Sequence, residues 1–349
     1  MKKILLALFL ISFLSCEDDD PISDAYELLG FEVEATGEFD PYITYIDTAS
    51  NQVLVFSSDN LDLNSFPLSL NPIVTVSPGA SVSPSSGSVV VFDDPEDFVK
   101  FTITAQDGIG SEEYIFTIRD NQIPNAGFEN WFEETGMNSQ PFLQPGKYLE
   151  SSVWATTNMG TSIYSIYGTT PLQDGNNKMA KIETVETVAI PLVAGAMYLG
   201  KFDLDAAIAD PGNPVAAAKL GIPFFAKPTT IQLHYSFESG DQLIQAVLKD
   251  PGNLFGGFDI YNLEGTDKFG IKATLEKRTG DMVTIIAQAE FESDQETDAM
   301  TELNMELQYL SDDDPTHFHI SFSPSVDGGT FKGASGSSLI IDELKMIYE

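Results

Sequence analysis

Phe98-Val99-Lys100-Phe101-Thr102-Ile103-Thr104-Ala105-Gln106-Asp107-Gly108, followed shortly by Tyr114-Ile115-Phe116-Thr117-Ile118, decides how the chain is read. Phe101, Ile103 and Ala105 recur at every second position, the period at which side chains share one face of a strand. Asp107-Gly108 supplies turn chemistry, and a second β-rich run follows it. On that second strand the sequence leaves two faces open, Tyr114 with Phe116 and Ile118, or Ile115 with Thr117.

Upstream, Ile43 to Ile46, Val53 to Phe56, Ile73 to Val76 and Val89 to Phe92 are runs of the same length, with Gly, Pro, Asn or Asp every eight to twelve residues. Six or seven such strands in about 95 residues predict an immunoglobulin-like β-sandwich over 26–121. Arg119-Asp120-Asn121-Gln122-Ile123-Pro124 breaks the pattern and marks a domain seam. Beyond it, 124–349 reads as a larger body of longer strands: Met179 to Val185, Met197 to Leu204, Thr230 to Ser236, Phe269 to Lys277, Met282 to Glu290, Leu303 to Leu310, His317 to Ser323 and Ser338 to Tyr348. Long strands with polar loops predict a jelly-roll sandwich. Ala206 to Leu220 has room for a helical turn, cut short by Pro211-Gly212 and Pro214. The expected fold class is therefore all-β, and the acidic runs Glu292 to Glu302 and Asp312 to Asp314 read as solvated loops between strands.

The chain's 349 residues fit two domains at roughly 150 residues each. Apolar residues make up 42% of it, enough for a core in both. A net charge of −36 leaves no basic field for a phosphate backbone, which excludes nucleic acid and favours a neutral or cationic partner. Cys16 is the sole cysteine, so neither an intrachain disulfide nor a Cys-based metal site can form.

Met1-Lys2-Lys3 and the apolar run Ile4 to Leu14 have the build of a signal peptide, too short to span a bilayer well. Phe13-Leu14-Ser15-Cys16 resembles a bacterial lipoprotein signal, which implies residues 1–15 removed, Cys16 lipidated and the chain anchored in the outer membrane. Ordinary secretion with cleavage near Ser15 is the alternative. Glu17-Asp18-Asp19-Asp20-Pro21 repels itself and reads as an extended tether over 16–25. It resembles the acidic tract of Bacteroidetes lipoproteins exported to the cell surface.

Val76-Ser77-Pro78-Gly79-Ala80, Val82-Ser83-Pro84, and Thr102 to Gly108 followed by Tyr114 to Ile118 resemble the small immunoglobulin-like modules that act as spacers in such lipoproteins. Asn125-Ala126-Gly127-Phe128-Glu129-Asn130-Trp131 opens the second body, and Gly333-Ala334-Ser335-Gly336-Ser337-Ser338 leads into Leu339-Ile340-Ile341-Asp342-Glu343-Leu344 at its end. With Trp154-Ala155-Thr156-Thr157-Asn158, Leu220-Gly221-Ile222-Pro223-Phe224 and Ile320-Ser321-Phe322-Ser323 between them, these segments resemble the carbohydrate metabolism domain of Bacteroidetes lipoproteins. That resemblance implies a carbohydrate-related role and a sandwich like those of carbohydrate-binding modules. In related modules a Phe-Glu near the start and an Asp in the last strand hold a structural calcium, which implies Glu129 and Asp342 as its ligands here.

Sugar binding needs flat apolar faces with planar polar groups beside them. Trp154, Tyr164 and Tyr235, with Asn158 nearby, are the expected platform, and Trp131 the expected core member. Carboxylates such as Glu133, Glu134, Glu238 and Asp241 could serve a glycosidase, but 53 acidic residues make such candidates unavoidable. His317 and His319 share a strand face without a visible third metal ligand. No Gly-x-Ser-x-Gly elbow or dinucleotide loop occurs. The expectation is non-catalytic capture of a neutral glycan or polysaccharide at the cell surface, alongside partner proteins of a glycan-uptake system. Its rivals are a glycoside-active enzyme and an adhesive protein-binding subunit.

Overall fold

A computed structural model of the protein describes residues 22–209, 214–250, 253–254 and 256–348. Cys16, the leader and residues 16–21 of the tether lie outside the described residues. The fold is all-β. In the first body, Pro41–Asp47, Gln52–Ser57, Ser111–Arg119, Val99–Thr104 and Ser81–Ser83 form one sheet in that order. The pairing of Gln52–Ser57 with Ser111–Arg119 is parallel. Two short ladders, Leu28–Glu32 with Ile73–Val76 and Leu68–Leu70 with Val90–Phe92, contribute to the same core.

The open question on the second strand resolves for Tyr114, Phe116 and Ile118, all buried, because Phe116 is met by Phe31 and Phe92 at centroid distances of 4.7 and 5.2 Å. Edge and tilted ring contacts of this kind add about 0.5–1.5 kcal/mol each beyond the area they bury.

In the second body one sheet runs Trp154–Thr156, Met197–Phe202, His317–Ser323, Phe269–Thr279, Met282–Ser293 and Gln308–Tyr309, with Ala218–Leu220 and Ile222–Pro223 attached. Thr169–Asp174, Asn177–Glu183, Ser338–Ile347, Thr230–Glu238 and Thr301–Glu306 form the other. Strict alternation drives the two together. Ile231, Leu233, Tyr235 and Phe237 point inward from Thr230–Glu238, and Phe318, Ile320 and Phe322 from His317–Ser323. The opposite face of His317–Ser323 carries His317, His319, Ser321 and Ser323 outward.

Strand structure enters both ends of the run read as an acidic loop, since Met282–Ser293 and Thr301–Glu306 extend into it. There the ladder with Thr230–Glu238 pairs Tyr235 with Thr301 and His234 with Glu302, and Glu302 remains exposed. The Ala206 to Leu220 region holds a helix Leu204–Ala209 and a 3-10 turn Pro214–Ala217.

The first body, expected as a spacer, packs directly against the second. Phe225 sits between Tyr45 and Phe56, at 6.0 and 5.1 Å. Glu96 accepts from Asn130 Nδ2 at 2.6 Å and from the Lys147 amide at 2.9 Å, while Lys147 Nζ reaches both Asp94 and Asp97. Arg119, at the end of its strand, is buried and donates through Nη2 to the Ser151 carbonyl at 2.9 Å.

Candidate functional site

Trp154 is not a platform. It is 4% exposed, packed between Phe128 and Phe322, with its indole N–H donated to the Pro124 carbonyl at 2.9 Å. Tyr235 likewise lies in the core, 5.1 Å from Phe269. Asn158 is fully buried and spends its amide on the backbone of Thr169, accepting at 2.9 Å and donating at 2.6 Å. Tyr164 is half-buried in the separate turn Ser162–Tyr164. These four residues therefore form no common face. Trp131, the expected core member, does pack against the same core, but only half-buried, and its indole N–H is donated to the Phe128 carbonyl. Large aromatic area is drawn into the core unless something else holds it out.

Glu129 and Asp342 do converge, both on the start of the strand Asn177–Glu183. Asp342 Oδ2 accepts from Asn177 Nδ2 at 2.8 Å, and Glu129 accepts from the Lys178 amide at 3.2–3.3 Å. Calcium takes about 6–8 oxygens. Here the Lys178 ammonium occupies the Glu129 carbonyl, and among the described residues no third acidic, His or Cys side chain joins the pair. The donor set does not fit the ion, so no role is derived through it.

What does come together is a cleft of about 580 Å³ at the seam between the bodies. Tyr45, Gln52 and Arg119 face it from the first, and Phe202, Arg278 and His317 from the second. Such seams are where ligand sites concentrate. The chain has only two arginines, and both line this cleft. In a chain of net charge −36, the four cations of the lining are matched by four carboxylates, which makes the cleft a charge-balanced island.

Arg278 is held ready. Its Nε donates to Glu276 Oε2 at 2.8 Å and its Nη2 to the Leu220 carbonyl at 2.8 Å. Nη1 has no protein partner among the described residues. Gly221 makes room for this guanidinium. At its φ of +99° a side chain is disfavoured, and a Cβ there would stand 2.4 Å from Nη2. Behind Arg278, His319 Nδ1 lies 3.4 Å from Glu276 Oε1. The close approach of the His319 ring, with the Arg278 guanidinium beside it and against the opposing effect of burial, holds the Glu276 carboxyl down to about 2. Burial, and then the Arg278 charge, push His317 down to about 4, so at pH 7 its ring is a neutral donor and acceptor.

A group whose folded pKa is depressed stabilises the fold above its unfolded value, and that contribution is lost as pH falls through the folded value. Glu276→Gln is therefore expected to lower the melting temperature at pH 7, with the gap to the natural chain shrinking from pH 4.5 towards 2. Melting curves across that range check it, and a gap independent of pH would contradict it.

Sequence reasoning missed Tyr45, Phe202 and Arg278, and weighed His317 only as a metal ligand. The scarcity of arginine was the available signal, because a guanidinium fork is the residue type kept for planar polar recognition.

The model described as "Putative carbohydrate metabolism domain" matches residues 127–347, and that described as "SGBP, N-terminal" matches residues 31–118. A solved structure described as a putative glycoside hydrolase from Bacteroides thetaiotaomicron aligns with a TM-score of 0.55 and 24% identity, covering 95% of this chain and 99% of its own. A second, described as a putative glycoside hydrolase from Bacteroides vulgatus, aligns at 0.52 and 20% identity over 65% of this chain and 99% of its own. Both are likenesses of fold. Comparison with curated proteins finds no match. Since the first model spans well over half of the chain, the protein belongs to the family of the putative carbohydrate metabolism domain.

Proposed function

We propose that this protein captures a neutral glycan in the cleft at the domain seam and holds it without cleaving it. The observation that carries the reading is the lining itself. Tyr45 and Phe202 line it with aromatic rings, while neutral His317, held through Nδ1 by Thr316 Oγ1, and Arg278 supply fixed polar groups in a charge-balanced setting. Apolar faces flanked by a few oriented polar groups are what a pyranose ring requires. Lipidation at Cys16, an outer-membrane anchor and outward display on the acidic tether belong to the same proposal, as do partner proteins of a glycan-uptake system. They rest on the leader sequence.

The hydrolase named for the two similar structures is the second reading. A glycosidase needs a carboxylic acid kept protonated near neutrality beside a second carboxylate. Among the described residues the carboxyls that burial pushes upward are Glu96 and Asp120, and neither lines the cleft. Glu276, beside it, is held down instead.

A panel of immobilised glycans, probed with the natural chain and with Tyr45→Ala and Phe202→Ala, tests the proposal. Each substitution is expected to weaken the best ligand about tenfold, or ~1.4 kcal/mol, with the ligand recovered at full length. Binding untouched by both substitutions, or a ligand shortened on incubation, would overturn it.

A further inference from the structure

A second pocket, of about 330 Å³, lies on the outward face of the sheet beside the cleft, and shares Phe202 and Leu220 with it. Its walls are aliphatic and aromatic, including Ile190, Leu192, Val193 and Phe331. Among the described residues no Asp, Glu, Lys or Arg lines it, although such residues make up 20% of the chain. An ionised ligand would lose its hydration there with no counter-charge to replace it.

The pocket also has a polar handle. Tyr198 is 3% exposed and its hydroxyl has no hydrogen-bond partner. Directly across the ladder from it stands Ser321, on the same outward face, and the Ser321 hydroxyl has no protein partner among the described residues. The other hydroxyls of the lining each already have a protein partner. Ser323 Oγ donates to carbonyls, Ser325 Oγ donates to Asp267, and Thr157 Oγ1 accepts from the Ala196 amide. An unpaired buried hydroxyl costs stability in the free protein, and a ligand oxygen arriving beside it would relieve that cost.

We infer that this pocket takes an uncharged acyl substituent of the glycan held in the cleft, ester- or amide-linked, up to the size of an aromatic acyl group. The hydrocarbon fills the aliphatic walls, and the acyl carbonyl accepts from the Tyr198 O–H with Ser321 beside it. The inference rests on the cleft reading for the glycan that bears the acyl group, but the pocket itself can be tested without any sugar.

The probe is methyl cinnamate, titrated into the full-length chain by NMR, with cinnamate anion as its charged counterpart. Saturable binding of the ester is expected, at least tenfold tighter than that of the anion. Tyr198→Phe, which keeps the ring, is expected to weaken the ester about five- to tenfold, the ordinary effect of one hydrogen bond. Failure of the ester to saturate, equal affinity for ester and anion, or an unchanged Tyr198→Phe variant would each overturn the inference. Glycan binding that fails on the panel while the ester binds here would defeat the cleft reading alone.

Discussion

Replacing Trp154 with alanine is expected to destabilise the second body by about 3–5 kcal/mol, the range for deleting a buried aromatic side chain. The ring is 4% exposed between Phe128 and Phe322, so its removal leaves a cavity that the surrounding strands cannot close. It also strips the Pro124 carbonyl of its indole donor, at the point where the chain enters the second body. Urea unfolding of the full-length chain checks this. The transition of the second body should shift to lower denaturant, and Trp154→Phe should recover part of the loss because it refills part of the volume. An unchanged transition accompanied by lost glycan binding would return Trp154 to the role of an exposed platform.

Asp267→Ala is the other large effect. Asp267 is 4% exposed and its Oδ2 accepts from Ser325 Oγ, Ser337 Oγ and the Ala334 amide, the last two at 2.7 Å, while Oδ1 accepts from the Lys268 amide. Thr184 extends the network through Ser325 at 2.6 Å. Gly333 belongs to the same construction, since a Cβ there would lie 2.6 Å from Ser325 Oγ. Removing the carboxylate orphans several buried donors at once, at a cost of roughly 3–5 kcal/mol. For a body of this size that corresponds to a fall in melting temperature on the order of 10 °C. Asp267→Asn retains one acceptor oxygen and should fall less. A melting temperature unchanged by Asp267→Ala would mean that the network contributes nothing to the fold.

The elements most legible in the sequence are those in which one face alone is buried. His317 to Ser323 alternates strictly, and the strand His317–Ser323 has those bounds, with Phe318, Ile320 and Phe322 inward. The hairpin Trp131–Thr135 with Pro141–Pro145 escaped notice because it carries two prolines and only part of it is buried, so its pattern is broken. Leu243–Leu248 and Phe258–Asn262 were missed for a related reason, since Val247, Ile260 and Tyr261 are exposed and the period carries little burial.

Much less of the site could be read. Ranking by residue type put Trp154 and Tyr235 first, yet the bulk that makes an aromatic side chain a good sugar platform also makes it the preferred filler of a core. The cleft gathers Tyr45, Phe202, Arg278 and His317 from distant parts of the chain, and no local pattern connects them. In the sequence the glycine-rich stretch from Gly333 shows only a family resemblance, and its physical task is set by Asp267, which packs beside it from a distant part of the chain.

The most direct test of the cleft is a crystal structure of the protein with the tightest oligosaccharide from the glycan panel. The expected result is an intact sugar at the domain seam, stacked against Tyr45 or Phe202 and hydrogen-bonded to Arg278 Nη1. A sugar seated elsewhere with the cleft left empty, or a cleaved product within it, would contradict the account.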